Sequence, residues 1–377
     1  MPTPLARIRA AGAADLDWLV DIEARCFETD RVSRRSFRAF LTGESAMLRI
    51  IEADGQRLGY SLVLFRRSTA LARLYSIAVL PEMTGRGLAA VMLAAAEGEC
   101  ARVGKVVMRL EVATDNVPAQ RLYARAGYRA IRTMRGYYED GSDALRMEKS
   151  LRAELSLQPA VRVPYYGQTT EFTCGPACLM MVSRYFRPGF RMNAATEVRL
   201  WREATTVFMT RGLGGCEPWG MAVALAESGL RVELCLSEAG PLLLNTVGKA
   251  EKRRVMRIAQ ADFRRRAGEL QIPVVDAIDV QTLADSLSPQ CLAIVLISSN
   301  RMFGVRVPHW VVVHQRIGEH LLIHDPWMEP DQFETAVNAA NLPVPIDEFA
   351  RMSRYGKSGL RAALLIRDVA DSEGSLR

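Results

Sequence analysis

The chain of 377 residues has no uninterrupted apolar stretch near the roughly 20 residues a membrane-spanning helix needs, although 49% of it is hydrophobic. Met1 to Ala10 also lacks the apolar core of a secretory signal. Together these absences predict a cytoplasmic protein with no membrane partner. Histidine is scarce: there are four, His309, His314, His320 and His324, all within one short segment. The seven cysteines are odd in number and scattered from Cys26 to Cys291, which excludes a regular disulfide framework and predicts reduced thiols. Net charge is +7, a modest excess, and no nucleic-acid-binding motif accompanies it, so nucleic acid is not expected as a partner.

What is present is concentrated. Residues 168 to 178 read Gln-Thr-Thr-Glu-Phe-Thr-Cys-Gly-Pro-Ala-Cys. Cys174 precedes Gly175, Pro176 and the apolar run Ala177 to Val182, so its thiol belongs at the start of a helix, where exposed N–H groups and the dipole favour an anion. Gln168 lies where it can reach back across the mouth of that helix and offer a side-chain N–H to an oxyanion.

The base and its orienter come later. Val305 to Val313 and Leu321 to Ile323 read as strands, with Arg316 to Glu319 as the turn between them. A hairpin centred on Ile317 sets His309 opposite Asp325, with Cβ atoms about 5 Å apart, and a turn centred half a residue away makes the pair diagonal but still in reach. Thiol, imidazole, carboxylate and amide together predict acyl chemistry. The histidine spacings do not match structural zinc motifs, so no metal is expected. His314 and His320 suit packing or the turn, while His324, beside Asp325, fits either reading.

Gln168, Cys174-Gly-Pro-Ala, His309-Trp-Val-Val-Val and Asp325-Pro resemble the papain-like cysteine peptidases that process double-glycine leader peptides of bacteriocins, over residues 160 to 367. The resemblance implies Cys174 as nucleophile, His309 as base and acid, Asp325 as the orienter of His309 and Gln168 as oxyanion donor. No transporter domain or membrane span follows, and a basic segment at 242–270 is inserted. The same triad also serves a peptide ligase or acyltransferase, and the same fold a peptide-binding module.

Residues 1 to 150 carry an independent pattern. Leu74 to Val79 reads as a strand, Thr84-Gly-Arg-Gly-Leu-Ala89 as a turn, and Ala90 to Val103 as a helix. Strand, glycine turn and helix in that order form a nest of backbone N–H groups suited to a pyrophosphate. Val106 to Ala113 then reads as a strand, Ala119 to Ala126 as a helix, and Ala130 to Met134 as another strand after Gly127-Tyr128. The whole resembles the Gcn5-related N-acetyltransferases, within them the bacterial enzymes that acetylate protein N-termini, over residues 5 to 149, with Thr84 standing where glutamine or arginine is usual. The resemblance implies acetyl-CoA held by Val79, Thr84, Gly85, Arg86, Gly87, Leu88, Ala89 and Asn116. It further implies Tyr123 as the acid for the leaving thiolate and Glu111 as a base acting through water. Arg31 to Arg38 and Tyr137-Tyr138 fall near the substrate loops of such folds.

Division by about 150 residues per domain gives two domains. The expectation is an α+β chain: an acetyltransferase domain at 1–150, a connector at 151–160, a peptidase domain at 161–367 with its helical insert, and a frayed tail at 368–377. The glycine-rich stretch Arg211 to Pro218 leads into a helix at Trp219 to Glu227 and contains a second thiol, Cys216. A peptide or protein is the expected substrate of both domains.

Overall fold

The structure is a computed structural model that describes residues 6–152, 160–206, 214–244, 247–328 and 339–368. The chain divides into two compact units, Met1–Leu157 and Gln158–Arg377. Both are mixtures of helix and sheet, the α+β, two-domain class expected.

The first unit runs β1 (Arg7–Ala10), α1 (Leu16–Cys26), α2 (Arg34–Thr42), β2 (Ala46–Ala53), β3 (Gln56–Phe65), β4 (Leu71–Val79), α3 (Leu88–Arg102), β5 (Val107–Ala113), α4 (Val117–Arg125), β6 (Arg129–Met134) and β7 (Ala144–Ser150). Its sheet has the order β1-β2-β3-β4-β5-β7-β6. Leu19, Ile22 and Phe37 of α1 and α2 pack with Ile50, Tyr60 and Leu62 in one core cluster. Leu93 and Ala96 of α3 pack with Leu74, Met108 and Leu110 in another. Gly59 permits the close approach of α3, since a Cβ there would meet the Ala78 carbonyl at 2.5 Å and the Met92 methyl at 3.1 Å.

Among the described residues, one pairing in this sheet is parallel, that of β4 with β5. β4 and β5 are joined from Leu71–Val107 to Leu74–Leu110 and then part, although β4 continues to Val79 and β5 to Ala113. A bulge at Tyr75 accompanies the fork: Leu74 faces Val63 and Ser76 faces Leu62. Bulges re-aim side chains, and here the residue after the bulge lies at the opened edge.

The second unit runs α5 (Cys174–Phe186), α6 (Ala194–Ala204), α7 (Pro218–Glu227), β8 (Arg231–Leu236), α8 (Ala250–Glu269), β9 (Val274–Asp276), α9 (Val280–Ser286), β10 (Cys291–Ser298), α10 (Asn300–Phe303), β11 (Pro308–Ile317), β12 (His320–His324), β13 (Leu342–Pro345), α11 (Ile346–Met352) and β14 (Ala362–Arg367). The sheet order is β13-β12-β11-β10-β14-β8-β9. Alternation along the strands sends Leu292, Ile294, Leu296, Trp310 and Val312 into one core with α5 and α7. Val295 and Ala363, of opposite parity, line a space with Leu283 and Phe349 of α9 and α11. Gly220 lets α7 cross α6, because a Cβ would lie 2.6 Å from the Ala204 carbonyl oxygen.

Three expectations are corrected. The hairpin is centred between Gly318 and Glu319 rather than on Ile317: Ile317 pairs with His320, and Gly318 takes the left-handed φ of 54° that a two-residue turn demands. A bulge between Val313 and Gln315 then shifts the register so that Val312 faces His324, leaving His309 and Asp325 diagonal to one another. The basic insert forms a helix only over Ala250–Glu269, and Met256, Gln260, Phe263 and Ala267 are its buried stripe. Asp368, expected in a frayed tail, is held by Arg187, which donates to it at 2.7 Å; residues 369–377, like most of the connector and residues 211–213 of the glycine-rich loop, lie outside the described residues.

Candidate active sites

Cys174 is the first residue of α5, followed by Gly175 and by Pro176 in the first turn, where a missing N–H leaves no bond unmade. Gly175 is obligatory: a Cβ there would meet Cys216 Cβ at 2.8 Å. His309 Nε2 lies 2.7 Å from Asp325 Oδ1, and both residues are buried. Asp325 Oδ1 also accepts the Trp327 N–H at 2.9 Å, and Tyr165 Oη donates to the Asp325 carbonyl at 2.8 Å. With Nε2 committed to the carboxylate, the other ring nitrogen is left for the Cys174 thiol.

The electrostatics match that order. Burial disfavours the His309 imidazolium, but the charge and hydrogen bond of Asp325, followed by the hydrogen bond and charge of Cys174, raise its pKa to about 10. A histidine poised this way holds a proton at neutral pH and can deliver it.

Gln168 is tied down more firmly than its sequence position suggests. Its N–H donates to the Pro326 carbonyl at 2.9 Å, and its side-chain amide donates to the Thr170 carbonyl at 2.7 Å. One hydrogen of that amide is therefore already used, and one remains for an oxyanion. The loop is fixed by a residue that the sequence did not single out: Glu197 of α6, fully buried, accepts from Thr169 N and Thr169 Oγ1 at 2.8 Å and from Tyr166 Oη at 3.0 Å. Nothing in the spacing of Glu197 marks it.

The remaining histidines have other surroundings. His324 Nε2 donates to the Val163 carbonyl at 2.9 Å, its Nδ1 accepts from Asn341 N at 3.0 Å, and its ring lies 4.6 Å from that of His314. Burial pushes the pKa of His314 well down, so it is neutral. Cys216 is buried beneath Gly175, and burial pushes its thiol well above the ordinary value, a poor second nucleophile. All seven cysteines are free thiols.

In the first unit, Gly85 and Gly87 both take left-handed φ, 80° and 78°, and Gly87 caps α3, so the turn presents the unpaired N–H groups of Leu88, Ala89 and the residue after them. Added Cβ atoms at Gly85 and Gly87 would meet nothing within 4 Å, as an open cradle requires. Thr84 and Arg86 are exposed on it, and Val79 ends the strand before it. A groove of about 680 Å³ between α3 and α4 adjoins Gly87 and is lined by Arg121 and Arg125, cations suited to phosphates, and by Lys149, which is paired with Glu97 of α3 at 2.5 Å. Asn116 caps α4 through a bond from Ala119 N at 3.1 Å, which leaves its amide NH₂ to reach a ligand. Tyr123 is buried, and burial raises its phenol well above the ordinary value, so it stays protonated.

Glu111 is where the expectation fails. Across β7 it faces Arg146, whose Nε lies 2.8 Å from one carboxylate oxygen, while Arg73 Nε lies 2.8 Å from the other. Burial favours the neutral acid, but the charges of Arg73 and Arg146 outweigh it and hold Glu111 below the ordinary carboxylate range. Burial lowers Arg146 only to about 10, so it remains cationic. A carboxylate clamped by two buried guanidiniums is a weak base, and protonating it would strand both charges.

Comparison with known proteins agrees with the division into two units. Residues 163–367 match the family model described as Peptidase_C39 like family, and residues 15–151 match that of an acetyltransferase (GNAT) domain. The chain belongs to the Peptidase_C39 like family and carries a GNAT acetyltransferase domain ahead of the matched region. An uncharacterized N-acetyltransferase of Methanocaldococcus jannaschii is 32% identical over 143 residues, 38% of this chain and 90% of that protein. A Bacillus subtilis relative, provisionally named a ribosomal-protein alanine N-acetyltransferase, is 30% identical over 143 residues, 38% of this chain and 93% of its own length. The solved ribosomal-protein alanine N-acetyltransferase of Escherichia coli matches with TM-score 0.36 at 25% identity, over 39% of this chain and 94% of that one. Among the described residues no helix is long and apolar enough to cross a membrane.

Proposed function

We propose that the protein is a bifunctional enzyme, in which the first unit acetylates an amine of a peptide or protein from acetyl-CoA and the second cleaves peptide bonds through Cys174, His309 and Asp325. The observation that carries the second activity is the buried His309–Asp325 pair at 2.7 Å beside the thiol that opens α5. In this reading Cys174 attacks the scissile carbonyl, and His309 gives its proton to the leaving amine. The N–H groups of α5 and the free hydrogen of Gln168 receive the oxyanion.

The residues of the first unit fit acetyl-CoA. The turn at Gly85 to Ala89 would hold its pyrophosphate, Arg121 and Arg125 its outer phosphates, and the fork between β4 and β5 its extended arm. When bound, acetyl-CoA supplies the activated acetyl group. Tyr123 holds a phenolic proton near the fork, and Glu111 bridges Arg73 and Arg146 as their shared counter-ion.

The test uses the full chain and iodoacetamide at pH 6.5, with alkylation of each cysteine followed by mass spectrometry. Cys174 should react at least about 10²-fold faster than in His309→Ala, whereas the other buried cysteines, Cys100, Cys178, Cys216, Cys235 and Cys291, stay inert in both proteins. Equal reactivity of Cys174 in the two proteins would leave the second unit a peptide-binding module. Products formed from a peptide substrate separate hydrolysis from ligation.

A further inference from the structure

Glu111 is clamped by two guanidiniums, and the first unit holds a second carboxylate buried without such a clamp. Glu23 of α1 is 2% exposed. Its Oε1 is hydrogen-bonded by Tyr60 Oη of β3, Tyr60 Oη lies 2.6 Å from Ser76 Oγ of β4, and Ser76 Oγ lies 3.3 Å from the same Glu23 oxygen. The other carboxylate oxygen accepts Val32 N at 3.0 Å. Ser76 is only half-buried and follows the Tyr75 bulge, beyond the last β4–β5 pair. The buried carboxylate is thus linked by two hydroxyls to the opened edge of the sheet.

Asp30, Arg73 and Tyr137 lie near Tyr75, the bulged residue at the same edge. Asp30 accepts the Glu139 N–H at 3.2 Å, joining the segment after α1 to the loop before β7, and Tyr137 Oη accepts from Arg73 at 2.7 Å. We propose that Glu23 is the general base of the acetyltransferase and receives the acceptor's proton through Ser76 and Tyr60. Ser76 Oγ takes a proton from the acceptor ammonium while its own passes to Tyr60 Oη. The Tyr60 proton passes to Glu23, which becomes a carboxylic acid, and the acceptor is left a neutral amine.

Glu23 has the affinity this requires. Burial raises its pKa to about 7, against the opposing bonds from Val32 and Ser76 and the charge of Arg31. The groups facing it are Cys26 of its own helix, Arg31 after it, Tyr60 on β3, and Tyr75 and Ser76 on β4.

The inference rests on the acetyltransferase reading, and the experiment separates the two. The full chain, Glu23→Gln, Tyr60→Phe and Ser76→Ala are assayed for binding of acetyl-CoA alone and for transfer of label from it to a mixture of short peptides with free N-termini. The carboxylic C=O band is followed by infrared difference between the unaltered chain and Glu23→Gln without acetyl-CoA. Each variant should bind acetyl-CoA within about twofold of the unaltered chain and lose about 10²-fold in kcat at pH 7. The acidic limb of kcat/KM should vanish in Glu23→Gln, and a C=O band titrating near pH 7 should vanish with it. Ser76→Ala leaves the buried carboxylate in place and carries the test if Glu23→Gln does not fold. Retained rate and limb in Glu23→Gln and Ser76→Ala, or a Glu23 band titrating with ordinary carboxyls, overturns the proposal. An unaltered chain that does not bind acetyl-CoA overturns the acetyltransferase reading and this base with it, whatever the infrared band does.

Discussion

Two buried carboxylates, Glu111 on β5 in the first unit and Asp325 just after β12 in the second, look alike in sequence and behave differently because of what faces them. Glu111 meets two guanidiniums that stay charged at neutral pH, so its own charge is fixed. Asp325 meets one imidazole, a partner that can gain and lose a proton, so its charge is spent on moving the affinity of His309. A carboxylate beside arginine is a structural counter-ion, and one beside histidine tunes an acid or base. Glu217, to which no cation is bonded among the described residues, is a third case: burial pushes it up to about 8 against two backbone N–H groups of α7 and the charge of Arg264.

Breaking the first arrangement should cost most. Glu111→Gln leaves Arg73 and Arg146 uncompensated in a buried site and should destabilise the first unit by about 3–5 kcal/mol, read as a lowered urea midpoint. Replacing all three residues by apolar ones of similar volume should recover most of that loss.

Asp325→Asn tests the second arrangement through pH. The pKa of His309 is raised from 6.5 to about 10. The stabilisation from its charged pair is therefore complete below about pH 6.5 and lost as pH rises through about 10. The unaltered second unit should lose about 2–4 kcal/mol across that window in denaturant titrations, and Asp325→Asn should show a flat profile there.

The smallest effect belongs to Glu217. Its carboxyl is raised above the ordinary 4.5, so the unfolded chain ionises first and stability falls as pH rises from about 4.5 through about 8. Glu217→Gln keeps an oxygen for the Gly220 N–H and removes the charge. It should match the unaltered protein at pH 4.5 and exceed it by about 1–3 kcal/mol at pH 8, measured by thermal melting.

Periodicity located the elements in the first unit well: the strand expected at Leu74–Val79 is Leu71–Val79, and the helix expected at Ala90–Val103 is Leu88–Arg102. Such boundaries are local, set by glycine, proline and the spacing of apolar residues. His309 and Asp325 were legible because they flank a single hairpin, and their bond survives a wrong turn centre because diagonal neighbours remain within reach. Glu111 was misread because its partners come from β4 and β7, each more than thirty residues away. Glu23 and Glu197 were not seen at all: each sits on a helix whose spacing marks only a buried face, and their bonds run to distant loops and strands.

The sequence by itself determined the two domains, their α+β class, the thiol at a helix start, the glycine turn before α3 and the His–Asp hairpin, because each depends on residues close in the chain or on one turn. The tertiary structure decided which carboxylates titrate. Proton affinity depends on burial and on the charges within a few ångströms, and those neighbours are supplied by strand register and helix packing, which bring Arg73 and Arg146 to Glu111 and give Glu23 two hydroxyls and a backbone N–H but no guanidinium hydrogen bond among the described residues.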